Sequence, residues 1–448
     1  MEPIQAFFTA FILISVPILL FYKKHKVLFI FCLLSFYTDY FLIRILAYNF
    51  WATGYICICY MLSEKPSILF SRTIFGRILW SEFFIMALVG AYFVVLAPWY
   101  DPNSDGRTVT QQLPLRTVVG LIRFIETYLF FYCFYWFFKK KYINIDFLVK
   151  SIFTIVIVSL VVGVIDSTLT NGIIRKFLMP FHYALTRFTG LGGEPRGIGQ
   201  LMTMSIFIFM TIGINTPKLR NISIIGIVAS FIGIALSFSS TAIVYSAVTI
   251  LLFFLTGRAS IKYLLSIALI YIIGFFILIN NEEFVDHQTQ RIAQVALEDI
   301  QTSIPDVPDF INHFEVFDKT AAAFLYLNPK YAIFGVGPNT INIPSSEYMS
   351  EFEKTEYNGR IDSVPSNFII NIISRSGIIG ILLHIFAYFY IQKKLKKYSN
   401  PVLSNYFFLV FIYTVFYNNI FFYAAVGIIM GIYFSEKNQK QAQHSTQI

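Results

Sequence analysis

The sequence predicts an all-α polytopic membrane protein with one large polar loop set into it. Three observations carry that reading. The chain is 56% hydrophobic and 13% charged, with a mean hydropathy of +0.66, whereas soluble domains carry roughly 25% charged residues. Apolar runs follow one another at a spacing suited to spans of about 20 residues. The interruption at 281–364 holds more than half of the acidic residues of a chain whose formal net charge is +9.

The apolar runs fall at about 4–22, 27–46, 48–62, 78–97, 115–138, 147–165, 198–214, 222–237, 241–256, 263–280, 366–391, 402–417 and 419–434. The run at 48–62 is short and the pair flanking Ser239-Ser240-Thr241 is tight, so the expectation is about 12–14 transmembrane helices. Residues 1–280 form an N-terminal bundle with a loop at 166–197, 281–364 a mainly helical loop domain, and 365–448 the last spans and a tail. The first run has neither a basic region before it nor a small-residue cleavage pattern after it, so it reads as a retained span.

Basic clusters fall on every second connection, among them Lys139/Lys140/Lys141, Arg258/Lys262 and Lys393/Lys394/Lys396/Lys397. By the positive-inside rule those connections are cytoplasmic and the acidic loop is external. Cys32, Cys57, Cys59 and Cys133 all lie in apolar runs, where they read as small buried hydrophobes.

Within the loop, Asp306-Val-Pro-Asp309 supplies an acidic start. Phe310, Phe314, Phe317, Ala321 and Phe324 then recur at helical spacing until Asn328-Pro329. Phe334-Gly-Val-Gly-Pro338 follows, with glycines suited to tight turns or close backbone approach. Tyr348, Phe352 and Tyr357 are available to pack in the lobe or to stack on sugar rings.

Ionisable residues inside spans are functional-site candidates. Arg123 and Glu126, three apart, can satisfy each other on one helix face. Asp39 and Arg44, five apart, turn away from each other on a helix and each require a partner elsewhere. Arg44, Arg116 and Arg123 fall in the outer half of the bundle, Arg187 and Arg196 at its rim, and Arg375 near mid-span. Converging guanidinium groups suit a lipid-linked phosphate. The alternative is structural ion pairing for the buried ones and headgroup contact for the rest.

The stretch Arg187-Phe-Thr-Gly-Leu-Gly-Gly-Glu-Pro-Arg-Gly-Ile-Gly-Gln200 bends the chain before a span and places Glu194 and Arg196 at its entrance. A carboxylate there either acts as a base toward a hydroxyl, with arginine holding an anionic leaving group, or forms a salt-bridged turn. The residues alone leave both readings open.

Four features in order resemble the O-antigen polymerase and ligase superfamily: Gly-Glu194-Pro ahead of a span, Phe238-Ser-Ser-Thr241 at a hairpin tip, Asn328-Pro with Gly335-Val-Gly337 late in a large loop, and Ser366-Asn367-Phe with Ser376-Gly-Ile-Ile-Gly380. The resemblance covers roughly 185–395. It implies a GT-C-like helical glycosyltransferase in the bacterial inner (plasma) membrane, using undecaprenyl-pyrophosphate-linked oligosaccharide and needing neither metal nor nucleotide sugar. It also implies membrane lipids, a flippase and a chain-length regulator as partners, and no nucleic acid. Ligases of this superfamily carry a histidine just before the asparagine, and this chain has Ser366 before Asn367, which favours a polymerase. The arginine that commonly opens the loop helix is replaced near His313, so its role passes to His313, Lys319 or Arg291. The expected catalytic residues are Glu194, Arg196, Arg187, His313 and Asp362; the expected substrate-binding residues are Arg44, Arg116, Arg123, Arg291, Arg360, Arg375 and Asn367. A ligase acting on lipid A core and a lipid-linked oligosaccharide flippase are the rival readings.

Overall fold

A computed structural model describes residues 3–38, 41–45, 48–64, 73–96, 113–169, 174, 188–191, 195–237, 239–257, 280, 285, 289, 303–356, 364–397, 401–417 and 420–446. The chain is a helical membrane protein. Among the described residues, five helices are long and apolar enough to cross a bilayer: α4 (Ile74–Leu96), α5 (Leu113–Lys139), α6 (Ile145–Thr168), the Pro217–Leu236 segment that contains α8 (Arg220–Leu236), and α15 (Phe368–Lys397). Shorter apolar helices pack around them: α1 (Pro3–Phe21), α2 (His25–Tyr37), α3 (Ala52–Glu64), α7 (Pro195–Ile208), α9 (Ser240–Leu255) and α16 (Pro401–Phe416). The last helix, α17 (Phe421–Thr446), lies along α5. Its Gly427 and Gly431 have no room for a Cβ, because the backbone carbonyls of Phe131 and Tyr135 lie against them. Small residues four apart admit this approach of two helix backbones.

Two predicted spans are shorter helices, His25–Tyr37 and Ala52–Glu64, joined through a β-hairpin. The run at 27–46 ends as a helix at Tyr37, and β1 (Leu42–Ile45) pairs antiparallel with β2 (Tyr48–Trp51), Arg44 opposite Asn49. Apolarity alone does not separate a strand from a buried helix, and here β-branched and aromatic residues fill short segments. A two-stranded sheet leaves edge groups unpaired, which apolar surroundings do not tolerate. Helix α5 supplies partners: Arg123 Nη1 donates to the Asn49 carbonyl at 2.9 Å and Trp51 N donates to Glu126 Oε1 at 3.0 Å. The span expected at 198–214 is α7 continued by a π-helical turn, Phe209–Gly213. The run at 263–280, apart from Asn280, lies outside the described residues.

The loop domain is a lobe of short helices: α10 (Asp309–Asn312), α11 (Val316–Leu327), α12 (Pro329–Phe334), α13 (Asn342–Ser345) and α14 (Glu351–Glu356). The single amphipathic helix expected from Phe310 onward is broken at 313–315, so Phe310 and Phe314 are exposed while Phe324 is buried. No side-chain cap forms at the start of α10. Asn328 ends α11 as predicted and donates to the Phe324 carbonyl and the Tyr348 hydroxyl. Lys319 and Glu353, both buried, form an ion pair that ties α11 to α14. The lobe core of Phe324, Val336, Ile341 and Ile343 is continuous with Phe93, Leu113 and Ile370 at the ends of bundle helices.

Candidate functional site

The Phe334–Asn339 turn plugs the lobe into the bundle. Gly335 (φ 80°), Gly337 (φ 96°) and Asn339 (φ 62°) take left-handed or mirror-β backbone that side chains other than Asn and Asp seldom adopt. A Cβ on Gly335 would stand 2.8 Å from Gly377 N, one on Gly337 2.5 Å from Gly90 Cα, and one on Gly120 2.7 Å from the Pro338 carbonyl. The turn therefore wedges among α4, α5 and α15, and Val336 N donates to the Ser374 carbonyl at 2.7 Å. Helix α15 kinks at Gly377 (φ 67°) to receive it.

Beside this wedge lies a cleft of about 430 Å³ between the lobe turn and the bundle. Helix α5 lines it with Gly120, Arg123, Phe124 and Glu126; α15 adds Asn371 and Arg375, and the lobe side adds Pro338, Asn339 and Val364. Trp51, Ile420 and Tyr423 complete the wall. Arg123 is 43% exposed and also bonds Glu126 Oε2 at 3.1 Å, as their spacing predicted. Arg116, buried about two turns away, donates from Nε to the Asn339 carbonyl at 2.8 Å and so holds the lobe turn in place.

Arg375 is backed by a residue that sequence reasoning passed over. Glu82 of α4 is fully buried; its Oε1 accepts from Arg375 Nε at 2.9 Å, from Nη2 at 2.8 Å and from the Ser376 hydroxyl at 3.3 Å. Arg375 Nη2 also faces the Tyr423 hydroxyl at 3.4 Å, and its guanidinium lies 5.1 Å from the Phe124 ring centre. On the far side His384, 2% exposed, places Nε2 3.7 Å from Glu82 Oε2. A lone glutamate in an apolar run was a signal for this cluster, since such a charge needs a partner in the membrane. Across the site Arg116, Arg123 and Arg375 stand against Glu82 and Glu126, which leaves one formal positive charge. Two guanidinium groups at one cleft are chemically suited to an anion.

The remaining predicted residues are distributed unevenly. Asn367 works as a helix cap: its Oδ1 accepts from Ile369 N and Ile370 N, and its own N donates to Asp318 Oδ1 at 3.0 Å. Ser366 donates to Asp318 Oδ2 at 2.7 Å. Burial raises the Asp318 carboxyl above the usual range, opposed by these hydrogen bonds. His313 is exposed on the lobe, 3.6 Å from Asp309 Oδ2, and forms no part of the cleft wall. Lys319 is committed to Glu353. Tyr348 packs edge-on against Phe324 within the lobe, the packing role that the sequence left open to it. Arg44 lies on a strand, so its helix-based relation to Asp39 does not apply. Arg196 sits in the first turn of α7, but its side chain, like that of Arg44 and Phe352, lies outside the described residues. Glu194, Arg187, Asp362, Arg291, Arg360, Asp39 and Tyr357 lie outside them altogether.

The cysteines sit in the bundle, Cys32 Sγ 3.8 Å from Cys133 Sγ. No family model matches this chain, and no curated protein matches it.

Proposed function

We propose that this protein is a polysaccharide polymerase, for O-antigen or capsule, of the bacterial inner membrane. It moves a growing glycan from undecaprenyl pyrophosphate to the terminal sugar of another lipid-linked repeat unit. The observation that carries this reading is the cleft at the lobe–bundle junction, where Arg123 and Arg375 face one space with apolar and aromatic walls. Its position supports an external site: Arg123 lies sixteen residues before Lys139 on α5, roughly 24 Å along the helix from that basic end. The bundle then has about 12–14 spans, GT-C-like in character, with the lobe external.

In the reaction an acceptor hydroxyl oxygen bonds to the donor's anomeric carbon while the bond from that carbon to the diphosphate oxygen breaks. A base takes the hydroxyl proton, and the charge gathering on the departing diphosphate is met by guanidinium groups already in place. Glu194 is the first candidate base, followed by Asp362 and His313, and Arg187 and Arg196 are candidates to hold the diphosphate at the rim. A chain-length regulator and a flippase are the expected partners, with no metal or nucleotide sugar. Ser366, tied to Asp318, offers no imidazole at the position where ligases of the resembled superfamily carry histidine.

The test is purified protein with undecaprenyl-pyrophosphate-linked oligosaccharide. A ladder of lengthening glycans with release of undecaprenyl pyrophosphate is expected. A single transfer to lipid A core would identify a ligase instead, and movement across vesicles without a new glycosidic bond would identify a flippase.

A further inference from the structure

Behind the cleft, two buried atoms face each other without a hydrogen bond. Among the described residues, Glu82 Oε2 and His384 Nε2 each have no hydrogen-bond partner, and they stand 3.7 Å apart. The other ring nitrogen, Nδ1, lies 2.9 Å from the Gly380 carbonyl. A carbonyl only accepts, so Nδ1 carries the hydrogen. A neutral ring then turns a bare nitrogen toward a carboxylate oxygen, an acceptor facing an acceptor. One added proton, on Nε2 or on Oε2, converts this contact into a donor–acceptor pair.

We infer that Glu82 and His384 form a buried proton site whose occupancy is coupled to an anion in the cleft. Charge balance supplies the coupling. Arg375 reaches the cleft, yet both of its bonds to carboxylate go to Glu82 Oε1, so together they present an almost neutral pair. A proton taken from solvent onto the Glu82–His384 pair makes the cluster singly positive and frees Arg375 to attract an anion. By linkage, an anion at Arg375 strengthens proton binding by the same factor. The charged and titratable groups facing His384 are Glu82 of α4 and Arg375 of its own helix, with the Tyr423 hydroxyl of α17 beyond Arg375. Glu82 and His384 are thus positioning residues: they set the charge that Arg375 shows and touch no reacting atom. The inference rests on the cleft taking an anion, not on which transfer follows.

Solid-state ¹⁵N NMR of the full chain in liposomes, labelled at histidine rings, reads the site directly; loss of a signal in His384→Gln identifies His384. Nδ1 should be protonated from pH 5 to 9 and Nε2 should pass from protonated to bare. At pH 7, saturating inorganic pyrophosphate should raise the protonated-to-bare ratio of Nε2 by ~3-fold or more, the size expected from an added charge nearby. Arg123→Ala should weaken that response, and Glu82→Gln should lower the ratio without pyrophosphate. A ring that never changes state between pH 5 and 9, or a parent ratio that pyrophosphate leaves unchanged, overturns the inference. Polymer made by a protein with an unresponsive His384 would leave the polymerase reading standing, and a responsive His384 without transfer would do the reverse.

Discussion

Gly335 of the lobe and Gly377 of the kinked helix α15 meet backbone to backbone. Both have positive φ, and a Cβ on Gly335 would lie 2.8 Å from the Gly377 nitrogen. This contact fixes the lobe turn against the helix that carries Arg375, so the cleft is shaped by two glycines before any charged side chain is considered. Replacing either with Ala should cost at least ~1–3 kcal/mol from backbone strain, with steric overlap added. Gly197→Ala is the control, because nothing lies within 4 Å of its Cβ position and it sits in a helix. Thermal unfolding in detergent should show Gly335→Ala and Gly377→Ala far below the parent and Gly197→Ala level with it.

Asp318 ties the lobe to the start of α15 through Ser366 and Asn367, and burial raises its carboxyl. A raised folded-state value means the folded protein binds this proton more readily than the unfolded chain. The burial cost is therefore fully present above the folded value and fades as pH falls through it. Asp318→Asn keeps an acceptor for Asn367 N, so its stability relative to the parent should be most favourable near neutral pH and should lose that advantage on acidification. Asp318→Ala should be less stable than Asp318→Asn by about 1–3 kcal/mol at all pH values, because the Asn367 amide and the Ser366 hydroxyl lose their acceptor. Unfolding of the three proteins from pH 4 to 8 checks this, and an Asn advantage that grows on acidification would refute the sign.

The sidedness inferred from the basic clusters has its own test. A cysteine at Ser303, exposed on the lobe, should react with an impermeant thiol reagent added outside intact cells. One at Lys140, exposed in the turn after α5, should react only after the membrane is opened. The opposite pattern would invert the map.

Much of the architecture was readable from hydropathy and charge. Most long spans, the polar lobe and the Arg123–Glu126 pair follow from apolar runs and from residue spacing. The β-hairpin did not, because Leu42–Ile45 and Tyr48–Trp51 are as apolar as helix and their edges are completed by groups 75 residues away. Glu82 escaped for a similar reason: its partners Arg375 and His384 are close only in space, across a kink that Gly377 makes possible. Asn367 was legible as important, but its side chain caps a helix rather than facing the cleft.

Glu194 divides two chemistries. If it pairs with Arg196 in water, Glu194→Gln should cost little, since exposed ion pairs contribute at most about 1 kcal/mol. If it takes the acceptor proton, the same change should lower transfer by roughly 10²- to 10⁴-fold at unchanged protein level. Single-turnover transfer across pH distinguishes them, and a Gln variant within a few-fold of the parent sends the search to Asp362 and His313.

The Arg123–Arg375 cleft is proposed to hold the diphosphate during glycan transfer. The most direct measurement is the single-turnover rate of purified Arg123→Ala and Arg123→Lys on undecaprenyl-pyrophosphate-linked repeat units, with folding checked by thermal unfolding. Arg123 is the better probe because it is 43% exposed and its buried partner Glu126 keeps the Trp51 amide, although both arginines pair with buried carboxylates. Loss of one preorganised donor at the departing group should slow transfer by about 10²- to 10³-fold, with Lys restoring only part of it because it lacks the planar fork. A folded Arg123→Ala protein that transfers at the parental rate would contradict the account.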